Sequence, residues 1–260
     1  MPDMRELLEE GFGPSPLDPQ ESVRQSMRAN VRKRFYKDVS VEHQDGVFAV
    51  LLDGRNLRTP AKAKLAASAQ SIADAMAREW DAQADIIDPA TMPLTRLANS
   101  IIDGVAERRD EVAQDIIKYL GTDMVFYRAD APEGLIASQN EHWNPLLAWA
   151  HDTFGARFFL AEGIVHVTQP EAALDAIRKA LPDDAWRLGA IHSATTLTGS
   201  ALIALALAAG LMTRDQAWAA AYVDEDWNQR VWGRDEESLA RRAFRWKDME
   251  AVSLILDALR

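Results

Sequence analysis

The chain has no cysteine among its 260 residues, which removes disulfides and thiolate chemistry from consideration and suits a reducing cytoplasm. Basic charge is in short supply as well. Lys and Arg number 29 against 40 Asp and Glu, for a net charge of −11 and a pI near 5.0. A nucleic-acid partner would call for a basic footprint that this balance lacks. Long apolar runs are missing too. The longest, Ala201 to Leu211, is too short to span a bilayer and follows a Ser/Thr-rich turn, so it reads as a buried helix with no membrane insertion. There is no G-x-S-x-G elbow, phosphate-cradling Walker loop, H-E-x-x-H or dinucleotide fingerprint. The opening MPDMRELLEEGFG is acidic and without a long apolar core, unlike a secretory signal or an Arg-rich transit peptide.

What is present is a globular composition. Hydrophobic residues make up 48% of the chain, enough to argue against disorder and to bury a core in one large or two small domains. Residues 1–31 read as an N-terminal arm. GFGPSPLDP breaks structure repeatedly, after which Arg24, Arg28 and Arg32 recur at helical spacing as a solvated basic face. From Phe35 to Pro60 the period changes to two. Val39, Val41, Val47, Ala49 and Leu51 are expected on one face of a hairpin turning at Gln44-Asp45-Gly46, with Asp53-Gly54 turning into a third strand at Asn56 to Thr59. A unit this small needs a cover. The helix expected from about Ser68 to Asp85, capped by Ser68 or Ser71 and carrying Ile72, Met76 and Trp80 at every fourth position, supplies one.

After Pro93 the pattern is helical. Helices are expected over Leu94 to Gly104, Arg108 to Leu120, Gln139 to Phe154, Pro170 to Leu181, Asp184 to Ala209, Thr213 to Trp232 and Asp235 to Leu259. Thr213 with Gln216 makes a capping box, and Gly121, Gly155, Gly210 and Gly233 stand where helices end. Short β-like pieces fall at Met124 to Tyr127, Arg157 to Phe159 and Ile164 to Thr168. The reading is an α+β protein: arm 1–31, a β-rich domain 32–92 built as a small antiparallel unit with a covering helix, and a larger, mostly helical domain 93–260.

Catalytic candidates are sparse. The five histidines (His43, His142, His151, His166, His192) are scattered, with no two at the i,i+4 spacing of a helical metal site, so neither a metal nor a cofactor is expected. His192-Ser193 are adjacent, and neighbours on a helix point apart, so they do not make a nucleophile and its base. Asp81 and Asp85, at i,i+4, could pair carboxylates, although exposed acids on a helix are far commoner. The last helices say more. Trp218, Tyr222, Glu225, Gln229 and Trp232 step by helical intervals and form one stripe, mostly aromatic, around a carboxylate. Either the stripe is core and Glu225 pairs with Arg241, Arg242 or Arg245, or it borders a groove and Glu225 meets a partner. Trp80 divides the same way, between core and an interface anchor.

One stretch exceeds what local physics asks for. Pro89 and Pro93 explain where a helix stops, but not a Trp flanked by two acids in REWDAQ (Arg78 to Gln83), nor the MPLTRLANSIID that follows at Met92 to Asp103. With KRFYKDVSV at Lys33, LDGRNLRTP at Leu52, YLGTD at Tyr119, SQNEHWNPLL at Ser138 and WGRDEE at Trp232, these pieces together resemble the assembly chaperones of the catalytic sector of F-type ATP synthase, specifically the family that holds the alpha subunit. The resemblance runs from Lys33 to about Glu237. It implies a non-enzymatic protein that binds the unassembled alpha subunit, keeps it from aggregating and yields it to the beta subunit. It also implies that the acidic-aromatic-Gln segment DEDWNQRVWG carries function through Glu225, Gln229, Trp232 and Gly233. Eukaryotic members work in mitochondria, so the expectation without a presequence is a bacterial cytoplasmic protein. Client-binding candidates are therefore Trp80, Trp218, Tyr222, Glu225, Gln229 and Trp232. The alternative from another class is a small-molecule hydrolase or lyase using Asp81, Glu225 or His192 in an acidic interdomain cleft.

Overall fold

A computed structural model describes residues 32–163 and 165–260; the expected N-terminal arm, with Arg24 and Arg28, and Ile164 of the expected strand Ile164 to Thr168 lie outside the described residues. Arg32 belongs to a strand rather than a helix: β1 (Arg32–Lys33) pairs antiparallel with β6 (Ile86–Ile87). β2 (Val39–Gln44) and β3 (Val47–Leu52) form a hairpin, β4 (Arg55–Asn56) follows, and β5 (Ala66–Ala67) completes a four-stranded sheet in which β4 and β5 both pair with β3.

The hairpin corrects the expected faces. Its loop has two residues, Asp45 and Gly46, with φ of 53° and 82°, the conformation in which loop twist matches strand twist. A three-residue turn would change the register by one, and one residue is enough to exchange the faces of a strand. Val39 therefore sits opposite Leu52 and Val41 opposite Val50, while Val47, Ala49 and Leu51 share the face of Ser40 and Glu42. Both faces of β3 are used, since Ala49, Val50, Leu51 and Leu52 are all buried.

Helix α1 (Gln70–Asp81) covers the sheet by packing on β2 and β3. Its N-cap is Ala69, with no side-chain cap, rather than Ser68 or Ser71, and the helix stops four residues short of Asp85. Then come α2 (Pro93–Asp103), α3 (Arg109–Leu120), α4 (Glu133–Phe154), α5 (Glu171–Ala180), α6 (Ala185–Thr198), α7 (Ala201–Ala208), α8 (Arg214–Ala221), α9 (Val223–Trp232) and α10 (Glu236–Ala258). α4 begins six residues earlier than Gln139 and continues through Pro145. The expected strand pieces reduce to a parallel contact of β7 (Tyr127–Arg128) with β8 (Ala161–Glu162), Met124–Phe126 being a 3₁₀ turn and Arg157 to Phe159 having no regular structure.

Two expected helices are each broken in two. The 184–209 helix breaks because Gly199 turns left-handed (φ 71°) and Ser200 caps α7, its side chain accepting from the Ile203 N–H at 3.1 Å. Every residue of α7 is buried, as expected of a helix that is apolar all round, and α3, α4, α6, α8 and α10 surround it. The 213–232 helix breaks at Tyr222 (φ −118°, ψ 21°). Its capping box is present, with Thr213 and Gln216 each bonded to the other's backbone. The main apolar cluster runs from Val50, Leu65 and Met76 through Ile101, Leu120 and Trp143 to Ile203, Val252 and Ile255. Among the described residues no helix is long and apolar enough to cross a membrane.

Candidate functional site

The REWDAQ and MPLT segments meet in space. Glu79, in the last turn of α1, receives the Leu94 N–H on one carboxylate oxygen at 2.8 Å and the Thr95 N–H on the other at 2.7 Å. These are first-turn amides of α2, which have no acceptor within their own helix, and a negative charge there is doubly favourable. Pro93 at the first position of α2 has no N–H to satisfy. Burial raises the Glu79 carboxyl above its ordinary range, against the pull of the hydrogen bonds from Thr95 and Leu94. Gln83, buried below, donates to the Glu79 carbonyl at 2.9 Å and to Thr91 Oγ1 at 3.1 Å, and accepts from the Asp88 N–H at 2.7 Å.

From the sheet side, the Arg34 guanidinium donates to the carbonyls of Asp81 (2.9 Å), Gln83, Tyr36 (3.2 Å) and Lys37 (3.1 Å), with the Asp81 carboxylate at 3.4 Å. The Tyr36 hydroxyl donates to the Trp80 carbonyl at 2.7 Å. So Glu79 fastens α1 to α2, while Arg34, next after β1, ties the sheet side to the end of α1 mainly through backbone carbonyls. Trp80 itself is half-buried, packed on Tyr36, Leu52, Ile87 and Met92, with its Nε1 shielded and lacking an acceptor among the described residues. Half the burial of a core tryptophan gives about half the loss, so Trp80→Ala is expected to lower stability by about 2 kcal/mol. Trp80→Phe, which forfeits no hydrogen bond, is expected to lose less than about 1 kcal/mol. Chemical denaturation of the three proteins measures both, and an unchanged midpoint in Trp80→Ala would remove Trp80 from the packing.

The break at Tyr222 splits the expected stripe. Trp218 and Tyr222 are 7% and 8% exposed and belong to the core, their rings 4.7 Å apart, with Trp246 5.3 Å from Trp218. Beyond the break, Glu225 is exposed, Gln229 is half-buried and Trp232 is 83% exposed. Glu225 has no ion-pair partner among the described residues. The arginines expected to neutralise it are engaged elsewhere. Arg242 pairs with Asp226 and lies over the Tyr222 ring at 4.2 Å, Arg241 pairs with Glu237 at 2.6 Å, and Arg245 donates to the Leu197 carbonyl at 2.6 Å. Being exposed, Glu225 needs no internal partner.

Helix α4 positions α9. Gln139 accepts from the Ala129 N–H at 2.9 Å and donates to Asp224 at 2.8 Å, Trp143 Nε1 donates to the Ala220 carbonyl at 2.8 Å, and any side chain at Gly134 would run into the Trp227 ring. Sequence reasoning gave Gln139 and Trp143 only as parts of a motif; their contacts need the fold. Between the two helices lies a groove of about 570 Å³ edged by Glu141, His142, Asp226, Gln229, Arg230 and Arg234. Its charges are mixed and partly committed: Asp226 to Arg242, Arg230 to the Asp226 carbonyl at 3.3 Å, and His142 Nδ1 to the Ser138 carbonyl at 2.9 Å.

Asp81, Glu225 and His192, the trio of the hydrolase alternative, stand on α1, α9 and α6 and share no hydrogen bond among the described residues. His192 faces Asp115 of α3 at 2.7 Å instead. Among the described residues no group of three His, Asp or Glu side chains could hold a metal ion.

Comparison with known proteins gives concordant matches. The model of the family described as ATP12 chaperone protein matches residues 33–151. The chain is 25% identical to the mitochondrial protein atp12 of Schizosaccharomyces pombe, over 79% of this chain and 75% of that protein. Among solved structures it is similar to a candidate chaperone from Agrobacterium tumefaciens (45% identity, 99% and 97% of the two chains, TM-score 0.84). It is likewise similar to Atp12 from Paracoccus denitrificans (39% identity, 88% and 98%, TM-score 0.81).

Proposed function

The chain belongs to the ATP12 chaperone family, and we propose that it holds the unassembled alpha subunit of the F-type ATP synthase catalytic sector, prevents its aggregation and gives it up to the beta subunit. The observation that carries this reading is Trp232. An indole left 83% exposed at the end of a helix keeps a large apolar face in water, and tryptophan is the side chain most enriched among residues that dominate protein interfaces. Val231 on the same helix and Phe244 on α10 are also exposed. Glu225 and Gln229 add polar groups on α9 that could fix the register of a client. Trp218 and Tyr222 lie in the core just before α9, whereas Trp80 packs in the separate cluster under the sheet and would act through stability rather than by touching this surface.

A subunit destined for a ring displays apolar faces that its neighbour later covers, and such faces aggregate when bare. A chain of net charge −11 covering one of them would keep the pair soluble. The work is done by binding, and release follows from competition for the same face rather than from catalysis. The two bacterial relatives support a bacterial cytoplasm as the setting.

The test is light scattering of unfolded alpha subunit diluted into buffer with or without this protein. Wild type is expected to suppress aggregation at near-equimolar amounts. Trp232→Ala is expected to weaken binding by about 2 kcal/mol, roughly 30-fold, with the melting temperature unchanged. Glu225→Gln, which alters charge on an exposed and unpaired side chain, is likewise expected to melt like wild type and to protect less. Full protection by Trp232→Ala, or none by wild type, would overturn the reading.

A further inference from the structure

A second recess lies at the other end of the sequence, where KRFYKDV and LDGRNLR meet. Its floor is apolar: Tyr36 and Leu52 are buried and Leu57 half-buried, all part of the small cluster that includes Trp80. Phe35 stands at its lip, 66% exposed, with its ring edge-on to Tyr36 at 5.3 Å. The recess measures about 530 Å³, room for one large side chain and the backbone that carries it.

Its rim is basic. Arg55 and Arg58 are exposed and in no ion pair among the described residues, Arg58 donating only to the Lys62 carbonyl at 2.8 Å. The one carboxylate in the lining, Asp53, is taken up by the Lys37 and Asp38 N–H groups at 3.0 and 2.9 Å, and these bonds hold it below the usual carboxylate range. The surrounding chain follows suit. Residues 32–64 carry eight basic and four acidic side chains in a protein whose net charge is −11. A basic patch on an acidic molecule attracts and orients negative partners while the remaining surface repels them.

We propose that this recess docks an acidic segment of a partner protein bearing one large apolar side chain, the side chain resting on Tyr36, Leu52 and Leu57 beneath Phe35 and its flanking carboxylates meeting Arg55 and Arg58. The contact is separate from the one assigned to Trp232, because no residue of α9 lines the recess.

Fluorescence polarisation of short labelled peptides tests it. A phenylalanine flanked by glutamates is expected to bind the full chain at least about tenfold more tightly than a phenylalanine flanked by lysines or an alanine flanked by glutamates, and to lose affinity as salt is raised. Phe35→Ala, and Arg55→Glu combined with Arg58→Glu, alter exposed side chains and are each expected to weaken that binding about tenfold at unchanged melting temperature. Trp232→Ala is expected to bind the peptide as wild type does, so this test stands or falls apart from the alpha-subunit reading. Equal binding of the lysine peptide, or full binding by the doubly substituted protein, would overturn the proposal. So would self-association of the chain abolished by the same substitutions, which would make the occupant a second copy.

Discussion

Asp123→Ala is expected to destabilise the protein by about 4 kcal/mol, the largest loss of any single truncation considered. Asp123 is completely buried. It accepts the Val125 N–H at 3.2 Å, holding the 3₁₀ turn that follows α3, and the Leu202 N–H at 3.0 Å, holding the first turn of α7. Removing the carboxylate strands those donors in the interior, each at about 1–3 kcal/mol, and relieves only part of the cost of burying the charge. Equilibrium denaturation measures it, and a loss below about 1.5 kcal/mol would refute it.

The same residue gives stability a pH signature. Burial pushes the Asp123 carboxyl up to about 6 from an ordinary 3.8, although the Ser200 hydroxyl and the Leu202, Val125 and Ala201 amides pull it down. In the window between those values the folded protein keeps a proton that the unfolded chain has released. Its contribution is therefore complete below the unfolded value and is lost as pH rises through about 6. The displacement corresponds to about 3 kcal/mol. Asp123→Asn does not titrate, so the advantage of wild type over this variant is expected to be about 2 kcal/mol larger at about pH 4, where part of the contribution is already lost, than at about pH 7. A gap independent of pH would show that the site holds no such proton.

Glu79→Ala is expected to cost about 3 kcal/mol. It strips the Leu94 and Thr95 amides of a charged acceptor, at about 1.5 kcal/mol for each bond, and removes the charge that complements the start of α2. Glu79→Gln offers only one acceptor, and its amide nitrogen would confront the second N–H, so it is expected to recover about half of the loss. Faster hydrogen exchange at Leu94 and Thr95, with α1 otherwise protected, would locate the damage. A variant as stable as wild type would mean that the cap is dispensable.

The division into a sheet and then helices was legible because the apolar period changes from two to near four around Ser68. The faces of the hairpin were not, because they depend on whether the loop counts two residues or three, and Gln44 is as acceptable in a strand as in a turn. Gly199-Ser200 carried a stop and a start in plain form, but apolar residues on both sides made the run look continuous. At Tyr222 there was no Gly or Pro to see. The break there coincides with a ring packed between Trp218 and Arg242, both supplied by the fold. The candidate site suffered accordingly: a stripe drawn on one continuous helix mixed two core aromatics with three residues beyond the break. Glu79 and Asp123 were visible only as parts of motifs, since their partners lie 15 and 79 residues further along.

Helix α10 lies against α1, α2, α6, α7 and α8, and Arg96 of α2 closes on its Asp248 at 2.6 Å across 152 residues of chain. Synthesis runs from the first of these helices to the last. Early helices therefore leave the ribosome with an apolar side that stays uncovered until α10 has been made. A member of an assembly-chaperone family thus passes, during its own synthesis, through a stage in which its own apolar faces lie bare.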